Sequence, residues 1–591
     1  TWFDWLPSCK KWTLDESCVV SQPLASVVSL KVMRLSLLLA ALATAVAVNA
    51  QYQQSQIEFW NALGHEHLQQ KLRWKAPSEK GPKNVIFFLG DGMGLSMVTA
   101  GRVIAAEKAN RTYKNEKWAF EKFDFSGILK TSSFDFHTTD SAAGAMALFT
   151  GHKVEQNTLG RLPGFGEKCD KGDASHINDG IAELALARGL DVGVVSTTRL
   201  TDATPAANFA KGVHRLMEQD NSSQIKGTDC IDIAQQILRH PADKFKVLMG
   251  GGHHFFTPSA EGGLRGDGRD IEKEWTALPG HRTLLHTADE LNSHSVSSDD
   301  QVLGVFHDKS FNYSLDEILT NKKSTQPKLV DMAVKALEVL QKSSNNNGYY
   351  LMIEGGHIDL AEHDNKMNLA TQELEDFSHT IETIRRMVGE DTLIVVTADH
   401  GHALTLPGYV HKKNSIRDAE VETDGMDSDG LPIPNILFAA GNGTTNRTEI
   451  TPENTAQLDP HFRSVVAFPA VWGAHGGEDL GIWTQGPYSW LFSGSMENTQ
   501  VAYLIKFLLC LDQKEPTLCG MRNYDENNYA TSPVSAALKN EGVYAGPSAA
   551  LITVLAIIAV AASLATVVLS FLLLRAKRPN KVESVEMNGR S

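Results

Sequence analysis

Short apolar runs of strand length recur along the chain, and each stops at a cluster of polar residues. "KNVIFFLGDGMG" (83–94), "GLDVGVVSTTRLTDATPA" (189–206), "YYLMIEGGHIDLAEHDN" (349–365) and "DTLIVVTADHGH" (391–402) share this design, and "DKFKVLMGGGHHFF" (243–256) adds a strand ending in a glycine turn. Between them, apolar positions recur with helical period, as in "SHINDGIAELALARGL" (175–190) and "PKLVDMAVKALEVLQKS" (327–343). Strands alternating with helices predict a mostly parallel sheet with helices on both faces, a three-layer α/β/α sandwich. An amphipathic helix, "SQIEFWNALGHEHLQQKLRW" (55–74), precedes this core. Residues 405–472, rich in Gly, Pro, Asn and Thr, break the pattern as an irregular insertion. The α/β style returns at "GIWTQGP" (481–487) and the helix "ENTQVAYLIKFLLCL" (497–511). The core therefore divides into residues 51–404 and 473–530.

The two ends carry different patterns. Met33-Arg34 followed by "LSLLLAALATAVAVNA" has the basic start, apolar run and small-residue end of a secretory signal over 33–50, cleaved after Ala50. Residues 1–32 precede that start and are set aside as a leader. Near the other end, a small-residue stalk (531–548) leads to an apolar run over 549–574, long enough to span a bilayer. The basic "RAKRPNK" and a polar tail (575–591) follow, which favours a single-pass anchor. A GPI-attachment signal is the alternative.

Composition narrows this picture little. The net charge of −15 over 591 residues has no basic block of nucleic-acid type within it, so there is no electrostatic case for nucleic acid. Cys9 and Cys18 fall in the leader. Cys169, Cys230, Cys510 and Cys519 remain, an even number that suggests two disulfides in an exported chain. Three pairings are open; the short "CLDQKEPTLC" loop favours Cys510–Cys519, leaving Cys169–Cys230. Glycosylation sequons begin at Asn110, Asn221, Asn312, Asn442 and Asn446.

The chemistry-bearing residues gather at the strand ends, where open α/β sheets bind ligands. Asp91 ends the first run between glycines. Glu354 ends another, and Asp359 and His363, four apart, share one face of the helix that follows. "TADHGH" contributes Asp399, His400 and His402, and "WGAHGGED" contributes His475. Oxygen and nitrogen ligands without thiolate suit catalytic zinc, with harder oxygen sites for magnesium. In "HTTDSAAGAM" (137–146), Asp140-Ser141 reads as a helix cap, and Ser141 also as a nucleophile.

"LGDGMG", "TTDSAAGA", "IEGGHIDLAEH", "TADHGH" and "AHGGED" occur in this order in alkaline phosphatases, which the chain resembles over roughly residues 57–520. The resemblance implies hydrolysis of phosphate monoesters through a phosphoserine at Ser141, at the extracellular face of the cell membrane. It implies two zinc ions, one on Asp359, His363 and His475, the other on Asp91, Asp399, His400 and the Ser141 oxygen. It implies one magnesium on Asp91, Glu354 and Thr204, with Arg215 gripping the phosphoryl oxygens. The N-terminal amides of the helix opened by "SAAGA" suit a phosphate. Asp202 and His402 are expected just behind the ligands. Asp202 matches bacterial members, but their partner lysine is replaced by Leu360. Thr138 and Met146 depart from the serine motif without removing a reacting group. The positions of the peripheral calcium site of vertebrate members carry His307 and Gln326, so no calcium is expected there. The insertion matches the family's crown over a dimer interface, which together with the N-terminal helix implies a homodimer. A sulfatase is disfavoured, because residues 137–146 contain neither Pro nor Arg for a formylglycine motif.

Overall fold

The computed structural model describes residues 81–511, apart from 112–115, 164–175, 226–227, 229, 321–323, 413, 421–429 and 451–455. The leader, signal, N-terminal helix, stalk, anchor and tail, and also Cys169 and Cys519, lie outside the described residues. Cys230 and Cys510 are each disulfide-bonded.

Ten strands form the central sheet. In chain order they are β1 (Asn84–Gly90), β2 (Phe125–Lys130), β3 (Asp191–Arg199), β4 (Val247–Gly251), β5 (His281–Leu285), β6 (Asp300–Val305), β7 (Tyr349–Gly355), β8 (Thr392–Thr397), β9 (Leu480–Gln485) and β10 (Gly494–Glu497). Their spatial order is β10-β2-β9-β8-β1-β7-β3-β4-β6-β5. From β8 to β5 all neighbours are parallel, whereas β9 runs antiparallel to both β8 and β2. The buried strands read as near-continuous apolar runs, as a sheet covered on both faces requires.

Successive residues of β1 show both covers. Phe87 packs edge-on against Phe149 of helix α2 (Ser141–Thr150), at 5.3 Å between ring centroids. Phe88 points the other way, to Phe377 of α6 (Met367–Met387), at 6.0 Å. Alternate side chains of a strand face opposite sides, so α2 and α6 belong to different layers. Helices α1 (Leu95–Lys108), α4 (Leu329–Lys342) and α5 (His357–His363) pack with α6, and α3 (Ile181–Ala187) and α7 (Asn498–Leu508) pack with α2. The three-layer sandwich expected from the sequence is the observed one.

Within 405–472, the described residues form a small sheet. Leu437–Gly441 lies between Leu404–Thr405 and Val465–Pro469, and a separate pair joins Ala419–Glu420 to Ile433–Pro434. This insertion leaves Phe468, Val471 and Trp472 exposed, at 69%, 80% and 67%.

Strand register levels the site. Leu89 of β1 sits opposite Glu354 of β7 and opposite Thr397 of β8, and Ser196 of β3 also faces Glu354. Asp91, Glu354, Asp399 and the turn carrying Asp202 therefore emerge at one height, along the carboxyl edge of the sheet.

Candidate active site

Ser141 is the first residue of α2, and Asp140 is its cap, accepting bonds from Ala142 N and Ala143 N at 3.2 Å each. The cap reading thus falls on Asp140 alone. Because Asp140 occupies those two amides, they are not free to receive an anion at the helix mouth, as the sequence had suggested. Gly144 lets α2 approach, since a Cβ there would stand 2.8 Å from the Asp399 carbonyl oxygen. Gly92, at φ +70°, turns the chain after Asp91 against Asp359.

The buried Ser141 Oγ lies 3.1 Å from His400 Nε2. His400 Nδ1 faces its neighbour's carbonyl, Gly401 O, at 3.3 Å, so in the neutral ring the proton sits there and Nε2 presents a lone pair. Asp91 Oδ1 is 3.2 Å and Asp399 Oδ2 3.6 Å from that Nε2, and both oxygens are buried without a hydrogen bond. Asp91, Asp399 and His400 offer ligand atoms within 4.8 Å of one another, and so do Asp359, His400, His402 and His475.

His363 and His475 follow the same rule. His363 Nδ1 donates to Gly473 O at 2.7 Å, and His475 Nδ1 donates to Thr139 O at 3.0 Å. Their Nε2 atoms face each other at 3.1 Å, 3.4 Å and 3.7 Å from the Asp359 carboxylate. Two imidazole lone pairs aimed at one point beside a carboxylate call for a shared cation, and backbone carbonyls fix both rings in the ligating tautomer. His402 instead donates from Nε2 to Asp359 Oδ1 at 2.7 Å, which makes it an orienting partner of that carboxylate. Its position beside His475 comes from the short antiparallel pairing of Gly401–His402 with His475–Gly476.

Thr204 Oγ1 and Glu354 Oε1 are also buried without partners. Glu354 Oε2 accepts from Ser196 Oγ and, at 3.2 Å, from Thr198 Oγ1, which leaves Oε1 for a cation. The donor set therefore fits metal ions on direct structural grounds: lone pairs and carboxylate oxygens converge in the interior with nothing to satisfy them. Electrostatics agree. Burial and the neighbouring Asp91 charge hold Glu354 well above the ordinary carboxylate range, and burial together with Asp91 does the same to Asp399. At Asp359 burial acts in the same sense, but the surrounding histidines, His363 foremost, outweigh it and hold the group well below its usual value. Burial and the nearby His400 push His475 down to about 2.

Arg215 reaches in from a neighbouring turn. Its Nη1 donates to Asp140 Oδ2 at 3.0 Å, and its Nη2 lies 3.4 Å from Asp202 Oδ1. Asp202 caps the short helix Ala203–Ala206 that carries Thr204. Sequence reasoning found Asp202 without a lysine neighbour; the structure supplies the missing cation as Arg199, whose Nη2 is 2.8 Å from Asp202 Oδ2. Arg199 Nε also donates to Glu218 Oε2 at 2.8 Å. Arg199 and the second role of Asp140 were missed. The available signal was Arg199 itself, a cation at a strand end three residues before an aspartate. Among the sequon asparagines, Asn110, Asn221, Asn312 and Asn446 are exposed, and Asn442 is half-buried.

Residues 82–511 match the family model described as alkaline phosphatase. The chain is 32% identical over 482 residues to a membrane-bound alkaline phosphatase of Bombyx mori, covering 78% of this chain and 86% of that one. It is 30% identical to alkaline phosphatase 4 of Drosophila melanogaster, covering 77% and 82%. Among solved structures, a histidine-to-aspartate mutant of the TAB5 alkaline phosphatase with magnesium bound is similar in fold. Its TM-score is 0.52 at 23% identity, covering 73% of this chain and 99% of that one.

Proposed function

The chain belongs to the alkaline phosphatase family of phosphomonoesterases, and from that premise we propose that Ser141 is the nucleophile of a metal-assisted hydrolysis of phosphate monoesters. The observation that carries this reading is the position of Ser141 Oγ, 3.1 Å from the ligating nitrogen of His400 and beside the unsatisfied carboxylates of Asp91 and Asp399. We assign one zinc to Asp359, His363 and His475, a second to Asp91, Asp399, His400 and Ser141, and magnesium to Asp91, Glu354 and Thr204. Metal ions held there supply Lewis acidity, lowering the serine pKa and neutralising the leaving oxygen.

Ser141 Oγ attacks phosphorus in line. The Oγ–P bond forms as the bond to the leaving alcohol breaks, and water then displaces Oγ to release inorganic phosphate. Arg215 holds the non-bridging oxygens through its planar fork, which Asp140 and Asp202 aim. Because every contact falls on the phosphoryl group, alcohols of many kinds serve as leaving groups.

The exposed Phe468, Val471 and Trp472 support a homodimer packed through the insertion. The four exposed sequon asparagines support an extracellular glycoprotein. The apolar run at 549–574 and the membrane-bound relative support attachment through the C-terminus, by a single-pass helix or a GPI anchor. Among the described residues no helix is long and apolar enough to cross a membrane.

The test is turnover of p-nitrophenyl phosphate against its bis-ester and a sulfate ester, in wild type and Ser141→Ala. The monoester should be strongly preferred, and the variant should lose activity by at least about 100-fold with its metal content retained. Full activity in the variant would remove Ser141 from the reaction.

A further inference from the structure

A second set of metal-ligating side chains lies at the β4/β6/β5 edge of the sheet, outside the site around Ser141. His253 opens the short helix His253–Phe256 after β4, Glu272 lies on the helix Ile271–Thr276, and His286 directly follows β5. One nitrogen of each imidazole and one carboxylate oxygen lie within 4.8 Å of one another. Glu272 is buried, whereas the His253 and His286 side chains are 38% and 41% exposed, so the cluster opens to solvent on one side.

Hydrogen bonding fixes which atoms are offered. The Thr257 hydroxyl donates to His253 O at 2.8 Å, so the 3.3 Å contact between His253 Nε2 and Thr257 Oγ1 needs its proton on the ring nitrogen. In the neutral ring His253 Nδ1 then carries the lone pair, and it faces Glu272 Oε1 at 2.9 Å. His286 Nδ1 meets Val305 O at 3.2 Å and must donate there, which leaves Nε2 aimed at Glu272 Oε2 at 3.6 Å. Two neutral imidazoles would thus turn lone pairs towards a buried carboxylate, an arrangement that only a proton or a cation between them relieves. The backbone also holds His253 in place, since Gly252 N and His253 N both donate to His307 O, at 2.9 and 3.0 Å.

We propose that His253, Glu272 and His286 form a metal site for a divalent ion of the zinc class, separate from the site around Ser141. Two nitrogens and one carboxylate oxygen suit zinc, cobalt, nickel or manganese. Calcium prefers an all-oxygen shell of six or more ligands, and magnesium usually keeps most of its waters. The bound ion ties the turn after β4 to the end of β5 and to the Ile271–Thr276 helix, and water completes its open side. Its role is structural, tying three separate elements together.

The test compares the purified holoenzyme with His286→Asn and His253→Asn, after dialysis against micromolar zinc with magnesium present. Elemental analysis should show one zinc equivalent fewer in each variant, with unchanged kcat/KM on p-nitrophenyl phosphate. A zinc-edge anomalous map of wild-type crystals should show a peak between His253 Nδ1, Glu272 and His286 Nε2. The map decides the matter even if a variant fails to fold. Equal zinc in all three proteins, or no peak at the trio, would overturn the proposal and leave a proton-bridged His–Glu cluster. Failure of the Ser141 assignment would leave the zinc count and the anomalous map unaffected, because neither depends on turnover.

Discussion

Asp140, Asp202, Arg199 and Arg215 form an alternating chain of charge behind Ser141, and each carboxylate in it serves two masters. Asp140 caps α2 and anchors Arg215; Asp202 caps the helix of Thr204 and lies between two guanidiniums. Removing one member leaves the others partly buried and unbalanced. Arg199→Gln should therefore destabilise the protein by roughly 2–3 kcal/mol, somewhat less than for a fully buried pair because Arg199 remains partly open to solvent. It should also weaken inhibition by phosphate as Arg215 is drawn towards Asp202. Chemical denaturation together with phosphate inhibition constants checks this, and unchanged values for both would show that Arg199 is a surface cation only. The candidate ligands and Ser141 were legible in the sequence because each sits in a short local motif, with Asp91, Glu354 and Asp399 at or just past a strand end. Arg199 was not, because its meaning depends on Arg215 folding back against the same carboxylate. The trio of His253, Glu272 and His286 was hidden for the same reason, coming from three separate elements.

At the level of elements, the small residues of α2 set how near Ser141 comes to His400 and Asp399. Gly144 faces the Asp399 backbone, and a methyl group there would stand at 2.8 Å from a carbonyl oxygen that cannot swing aside. Gly144→Ala should push α2 outwards. The expected cost is about 1–3 kcal/mol in stability, with a loss of activity of tenfold or more as Ser141 Oγ leaves His400. Thermal melts paired with kcat measurements test this; a variant of normal activity would mean that α2 and the loop of Asp399 move together. The apolar runs gave away β1, β3, β4, β7 and β8, which are buried on both faces and therefore continuous in character. The 21-residue α6 was not singled out, since its apolar stripe is diluted by charged residues that face solvent. The helix expected over 175–190 shrinks to Ile181–Ala187, with Gly180 as its cap and Gly189 at φ +79° beyond its end. The antiparallel direction of β9 was equally hidden, because a short apolar run does not declare its orientation.

On the scale of the whole molecule, the balance of buried acids sets how stability varies with pH, and one of them can be read apart from the metal ligands. Glu373 on α6 is buried and accepts a hydrogen bond from Ser314 N at 2.7 Å; it borders a cavity of about 580 Å3 shared with His357 and Asp376. Burial pushes its carboxyl up to about 8. A carboxyl with a raised pKa in the fold is neutral in both folded and unfolded chains at low pH. Its penalty grows as pH rises through the unfolded value, because only the unfolded chain then ionises freely, and it is complete above about 8. Glu373→Gln keeps an acceptor for Ser314 N and removes the titration. The unfolding free energies of variant and wild type, from chemical denaturation, should therefore coincide near about pH 4 and separate in favour of the variant by about pH 9, with a gap of roughly 1–3 kcal/mol. That figure lies below the full shift because the cavity is open to solvent, which screens the charge. A gap of the same size at both pH values would instead trace the effect to packing, and a gap in favour of wild type at high pH would show that the ionised Glu373 has a cationic partner.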